Sequence, residues 1–234
     1  VISWLQLSEV KRPHLIFLYF HEPDETGHKY GPDSEEIKSR IKEIDELTGY
    51  LFKRLRSLDI SDKVNVIITS DHGMGTISNE KSVYLSDYIK NEWVDNIIGG
   101  NPVYNIWAKN LFVDSVQYAL SKISNISFWK NTDGNNDLNY GSNTRTGSFT
   151  VLADSSWSIH EKNGNFSYSK GTHGYDNRNK DMHACFFAIG TDFKSNYNAG
   201  ILKNVDIYPL IAQILGLKTD KIDGKSERIL HVLK

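Results

Sequence analysis

The sequence predicts an α/β fold, a mainly parallel sheet flanked by helices. Two observations carry this prediction. Short apolar runs recur along the chain between turn-forming residues, and the first two are separated by a long amphipathic helical pattern. Strand, helix, strand in that order is a βαβ unit, whose two strands run parallel.

The elements follow in order. His14 to Phe20 reads HLIFLYF, an apolar run after a proline, as in a buried strand. Pro23 to Pro32 holds two prolines and two glycines and reads as loop. Asp33-Ser34-Glu35-Glu36 opens a helix, with acidic residues at the positive end of its dipole. Ile37, Ile41, Ile44, Leu47, Leu51 and Leu55 then recur every three or four residues, which predicts one helix of about six turns. Val64 to Thr69 is the second buried strand and should lie parallel to the first. Further on, Val103 to Ala108 reads as a strand and Val113 to Ile123 as a helix. Asn131 to Arg145 reads as loop, and Phe149 to Leu152 with Trp157 to Ile159 as a pair of short strands. Ala184 to Ile189 reads as a buried strand and Val205 to Leu215 as a closing helix.

A chain of 234 residues suits one sizeable α/β domain and is short for two, so residues 1–234 are expected to form a single domain. With 39% hydrophobic and 24% charged residues it is neither disordered nor membrane-embedded. The 27 basic and 29 acidic side chains are well mixed, which argues against a nucleic-acid patch. Leu15 to Phe20 is far short of the ~20 apolar residues of a membrane span. The first residue is Val1 and no signal peptide follows, as in a fragment or processed chain. Cys185 is the only cysteine, which favours a reducing compartment. Two glycosylation triplets, Asn125-Ile126-Ser127 and Asn165-Phe166-Ser167, point the other way, though such triplets also arise by chance.

Three polar clusters carry candidate chemistry: Asp24-Glu25-Thr26-Gly27-His28, Ser70-Asp71-His72-Gly73-Met74 and Gly171-Thr172-His173-Gly174-Tyr175. The first two follow strand signals, where ligands bind in open α/β sheets. Carboxylate and neutral imidazole together suit zinc better than magnesium. Asp24 and His28 are four residues apart, but Pro23 and Gly27 argue for a turn over a helix. Asp71 and His72 would point to opposite sides of an extended strand. They can share a metal only if the chain leaves the strand there, and Gly73 and Gly75 ease that departure. An ordinary alternative has Asp71 capping a turn. Glu22 is a candidate acceptor behind the ligands. His14, His21, His160, His183 and His231 default to structural or surface roles, with His183 the nearest of them to a motif.

Taken together the clusters resemble the ectonucleotide pyrophosphatase/phosphodiesterase family of the alkaline phosphatase superfamily. Phe20-His21-Glu22-Pro23-Asp24-Glu25-Thr26-Gly27-His28-Lys29-Tyr30-Gly31-Pro32 is similar to its first metal segment, and Thr69 to Met74 to its second. Gly171 to Asn177, Met182-His183-Ala184 and Gly190 with Phe193-Lys194 are similar to its third, and Val205 to Leu217 to the end of its catalytic domain. The resemblance covers nearly the whole chain. It implies the C-terminal part of an alkaline-phosphatase-like catalytic domain with its N-terminal part missing. It also implies two zinc ions: Asp24, His28 and His173 on one, Asp71 and His72 as part of the other. The family's nucleophilic Thr and a further Asp have no match here and are expected upstream of Val1. The implied substrate is a small phosphodiester, such as a nucleotide. The implied location is extracellular, secretory or membrane-anchored. Two other readings stay open: a phosphomonoesterase or mutase of the same superfamily, and a metal-binding module without turnover.

Overall fold

Five helices and ten strands form among residues 1–131, 138–162, 164 and 169–234, which the computed structural model describes. In chain order they are α1 Ile2–Leu5, α2 Asp24–Tyr30, α3 Glu35–Arg56, β1 Val66–Thr69, β2 Gly75–Thr76, β3 Ser82–Tyr84, β4 Val94–Gly100, β5 Val103–Ala108, α4 Val113–Leu120, β6 Ile126–Lys130, β7 Phe149–Ala153, β8 Ser158–His160, β9 Gly171–Thr172, β10 Phe186–Ile189 and α5 Ile207–Ile214. They divide into two compact units. One holds Val1–Phe20, Ile41–Asp71 and Ala184–Lys234, the other His21–Arg40 and His72–His183.

In the first unit β1 pairs antiparallel with β10, from Val66 opposite Ile189 to Thr69 opposite Phe186. Side chains alternate across a strand. Phe186 and Ala188 therefore pack on a core of Phe193, Leu210, Ile229 and Val232, while Phe187 and Ile189 are exposed. Helix α5 buries Pro209, Leu210 and Ala212. Just before it, Asp206 is 1% exposed. A buried carboxylate needs donors. Arg228 grips both its oxygens and the Lys225 backbone N–H donates at 2.8 Å, which ties the C-terminal segment to α5.

The second unit holds most of the sheet. Strands β4, β5, β7 and β6 lie in that order, all antiparallel, and β7 is buried along its whole length. The hydroxyl of buried Thr150 on β7 lies 2.8 Å from the side-chain oxygens of both Asn105 and Asn131, so its single proton has an acceptor despite burial. Helix α4 lays Val116, Ala119 and Leu120 into a core shared with Leu85, Ile106, Phe149, Val151 and Ile159. Strand β3 pairs parallel with β8, and the short β2 pairs antiparallel with β9.

Several expectations need correction. His14 to Phe20 is not a strand: it joins no ladder, and Leu15, Phe17, Leu18, Tyr19 and Phe20 are exposed. β1 accordingly has no parallel partner there and pairs antiparallel with β10. Apolar composition states that a segment profits from burial, not which chain supplies the cover. Among the described residues, β3–β8 is the one parallel pair. The strands at 149–153 and 158–160 both form, but in different sheets. Strands β2, β3, β4, β6 and β9 were not anticipated. The α3 stripe is buried at Ile37 and Leu55 and exposed at Ile41 and Leu47. Positions 132–137 of the expected 131–145 loop lie outside the described residues, as does the Asn165-Phe166-Ser167 triplet.

Candidate metal centre

Asp24 and His28 sit on one helix, contrary to the turn expected from Pro23 and Gly27. Helix α2 starts at Asp24 with Pro23 as its cap residue, a place where proline's missing N–H costs nothing. Glu22 supplies the acceptors that the helix start lacks. Its carboxylate accepts from the Thr26 backbone N–H at 3.1 Å and the Thr26 hydroxyl at 2.9 Å. Arg40 lies 3.5 Å from the same carboxylate. Gly27 is a matter of space: a Cβ there would come within 2.5 Å of Met74 Sδ. The helix ends at Gly31, whose φ of 90° favours glycine. Asp24 and His28 thus share one face, one turn apart.

His173 comes from the loop after β9. Pairing of β9 with β2 holds Thr172 opposite Gly75 and so brings the chain after β9 beside the chain before β2. His72 and His173 consequently stack, ring centres 3.6 Å apart and tilted by 15°. The Gly73 N–H donates to the Met182 carbonyl at 3.0 Å. A Cβ on Gly73 would lie 2.0 Å from the Asp181 carbonyl oxygen, so this glycine serves close backbone approach. β1 ends at Thr69, so the chain has left the strand before Asp71, the condition under which Asp71 and His72 need not point apart.

One donor atom from each of Asp24, His28 and His173 lies within 4.8 Å of the others. Asp24 Oδ2 is 3.5 Å from His28 Nε2, and Asp24 Oδ1 is 3.6 Å from His173 Nε2. Neither distance is a hydrogen bond. Both match the edge of a zinc tetrahedron, where ligands at about 2.0–2.2 Å from the ion stand about 3.3–3.6 Å apart. The protonation pattern agrees. His28 Nδ1 lies 2.9 Å from the Gly171 carbonyl, which can only accept, so the proton sits on Nδ1. In the neutral imidazole that metal binding requires, the Nε2 lone pair then faces a carboxylate, two acceptors that a cation between them would reconcile. Asp24 Oδ1 is buried without a hydrogen-bond partner, which a neutral fold seldom tolerates and a metal ligand requires. His72 Nδ1 is likewise 2.9 Å from the Gly73 carbonyl, leaving Nε2 as its acceptor nitrogen. The residues present fit a zinc ion.

The sequence matches the family described as type I phosphodiesterase / nucleotide pyrophosphatase over residues 1–176. The chain belongs to this family. It is 34% identical to the venom phosphodiesterase CdcPDE of Crotalus durissus collilineatus, covering 100% of this chain and 29% of that protein. It is 34% identical to ectonucleotide pyrophosphatase/phosphodiesterase family member 5 of Homo sapiens, covering 100% of this chain and 48% of that one. The fold superposes on murine ectonucleotide pyrophosphatase/phosphodiesterase 5, an inactive form in complex with AMP, with a TM-score of 0.91 and 32% identity. That match covers 100% of this chain and 62% of the solved one. The chain thus spans about three-tenths to a half of these curated relatives, and it shares their mixed α/β, alkaline-phosphatase-like fold.

Other parts of this phosphodiesterase-family site were less legible. Gly171 is indispensable to the geometry: a Cβ there would sit 2.5 Å from the Gly27 carbonyl oxygen, and its own carbonyl orients His28. The sequence signal was present, as glycine beside His28 and His173 alike, but its reason is a contact between distant segments. His160, expected to be structural or at the surface, shares a cavity with a site residue. It lines a cavity of about 210 Å³ with His28, Ser82, Asn101, Ser158 and Thr172, and burial lowers its pKa. His183 is exposed and is not one of the three clustered donors. Tyr175 is structural: it is buried, its hydroxyl donates to the Trp157 carbonyl at 2.7 Å, and burial raises its pKa.

Proposed function

We propose that the protein is a zinc-dependent hydrolase of phosphodiester or pyrophosphate bonds, acting on nucleotides outside the cell. The observation that carries this reading is the convergence of Asp24, His28 and His173 at tetrahedral-edge spacing around a buried, unpartnered carboxylate oxygen. Relatives named as phosphodiesterases and nucleotide pyrophosphatases support the reaction, and AMP in the murine structure supports the substrate class. Names such as venom phosphodiesterase and ectonucleotide pyrophosphatase support the location. No helix of the described residues is long and apolar enough to cross a membrane. The family match over residues 1–176 draws on both compact units, which supports 1–234 as part of one catalytic domain.

We assign Asp24, His28 and His173 to one zinc, and Asp71 and His72 to a second that needs further ligands. Bound zinc would lower the pKa of an attacking hydroxyl and balance charge at phosphorus. The residues of this chain set up that chemistry. The Nδ1–H of His28, held by Gly171, keeps Nε2 turned inward as a neutral donor. Asp24 contributes one negative charge and both its oxygens. Side-chain exposures of 31–42% for these three leave the centre open to a substrate from solvent. The attacking group is a threonine hydroxyl from outside these 234 residues. The threonines of the first and third clusters have surroundings that support that reading. Thr26 is buried with its hydroxyl donated to Glu22, and Thr172 is buried in β9.

The test uses the full-length protein. Zinc content and turnover of a nitrophenyl nucleotide diester are measured for wild type, His28→Ala, His173→Ala and the control His231→Ala. Both site variants should lose zinc and turnover, and the control should behave as wild type. Full zinc content with normal turnover in His173→Ala would sink the ligand assignment. A preference for the nitrophenyl phosphomonoester over the diester would move the reaction to the phosphomonoesterase branch.

A further inference from the structure

We propose that Asn125 is a site of N-linked glycosylation, placing an oligosaccharide at the outer edge of the four-stranded sheet. The proposal rests in part on the extracellular reading above. The triplet Asn125-Ile126-Ser127 has the required sequence, but so do many triplets that are never modified. Local structure distinguishes this one. Asn125 occupies the turn between α4 and β6, with a φ of 65°, in the left-handed region that asparagine tolerates. The turn is pinned through its backbone, because the Asn125 carbonyl accepts from the Asp154 N–H at 2.9 Å. Among the described residues its side-chain amide makes no hydrogen bond, so Nδ2 is uncommitted. Ser121, Lys122, Ser124 and Ser127 around it are all exposed.

Position in the sheet gives the modification a purpose. β6 is the last strand in the order β4-β5-β7-β6, and Ser127 pairs opposite Leu152 next to that outer edge. An open sheet edge invites pairing with another chain unless something blunts it. A bulky, hydrated sugar at the first turn of β6 would do so. The donor is a lipid-pyrophosphate-linked oligosaccharide. The Asn125 Nδ2 attacks its anomeric carbon, an N–C bond forms, and the anomeric C–O bond breaks. The lipid pyrophosphate leaves with the electron pair, and the displaced amide proton passes to a base of the transferase.

A bland explanation competes: asparagine suits positive φ with or without a sugar. The two are separated by producing the full-length protein in eukaryotic cells behind a strong secretion signal, so that its native location is not at stake. Tryptic peptide Ile123 to Lys130 is then analysed after amidase deglycosylation in heavy-oxygen water. Occupied Asn125 should appear as heavy-oxygen aspartate. Ser127→Ala leaves the turn intact and should abolish that signal. Asn125→Gly keeps the positive-φ turn, so it should fold normally and also lose the signal. An unmodified peptide from the secreted wild type would overturn the proposal, as would a heavy-oxygen signal that survives Ser127→Ala. Either result would leave the hydrolase reading untouched, and zinc-free protein carrying the glycan would do the reverse.

Discussion

Gly171→Ala should weaken metal binding without touching any ligand. The added methyl would lie 2.5 Å from the Gly27 carbonyl oxygen and 2.8 Å from Met74 Sδ. Met74 can swing aside, but the carbonyl belongs to helix α2 and cannot. An ordinary contact needs about 3.2–3.4 Å, so β9 and α2 must part by roughly 0.7–0.9 Å, and overpacking of this kind costs about 1–3 kcal/mol. The same movement stretches the bond from His28 Nδ1 to the Gly171 carbonyl, now 2.9 Å, beyond useful length. Loss of such an orienting partner lowers metal affinity about 10–100-fold. Gly49→Ala is the matched control. It lies in the interior of α3 with nothing within 4 Å of the new methyl, so helix propensity alone acts and stability should rise by up to about 1 kcal/mol. The assays are thermal unfolding and zinc competition against a chelator. Wild-type zinc affinity and melting temperature in Gly171→Ala would refute the close-approach reasoning. A loss in both glycine variants alike would show that the effect is not local.

Three further outcomes are expected. Glu22→Ala removes both acceptors of Thr26 and should cost about 1 kcal/mol, with a fall in zinc affinity seen in the same competition assay as the start of α2 frays. For Asp206, burial pushes the carboxyl pKa up, but the Arg228 guanidinium and the Lys225 N–H outweigh it and hold the pKa below the usual value. Its ionised form therefore stabilises the fold above the unfolded pKa of about 3.9, and that contribution is lost as pH falls through the lower folded value. Melting curves of wild type should show an acid limb below about pH 4 that Asp206→Asn flattens, while starting from a lower melting temperature at neutral pH. Phe17→Ser with Tyr19→Ser should leave the melting temperature of the 234-residue chain within about 1 °C and reduce its binding of a hydrophobic dye, because both rings are exposed here at 80% and 78%.

The part of this protein legible from its sequence was its chemistry, and the part that was not was its pairing. Asp24, His28 and His173 were readable because carboxylate and imidazole in recurring company with glycine have few other uses. The approach of His173 to the other two was not, since it depends on two contacts between segments distant in sequence. One is the β2–β9 ladder, two residues on each side and below any periodic signal. The other is the approach of β9 to α2 through Gly27 and Gly171. The strand pattern failed for the same reason in the opposite direction. HLIFLYF has the composition of a buried strand, yet no described strand lies against it. Val66–Thr69 was correctly read as a strand and wrongly paired, since strand type is a local property and its partner is a long-range choice. The glycines therefore carry as much of the site as the ligands do. A ligand states which ion could bind. Gly73 and Gly171 admit backbone where a Cβ would forbid it, Gly27 makes room for the Met74 side chain, and together they bring a helix, a strand end and a loop to the separation at which Asp24 on α2 and His173 after β9 lie 3.6 Å apart.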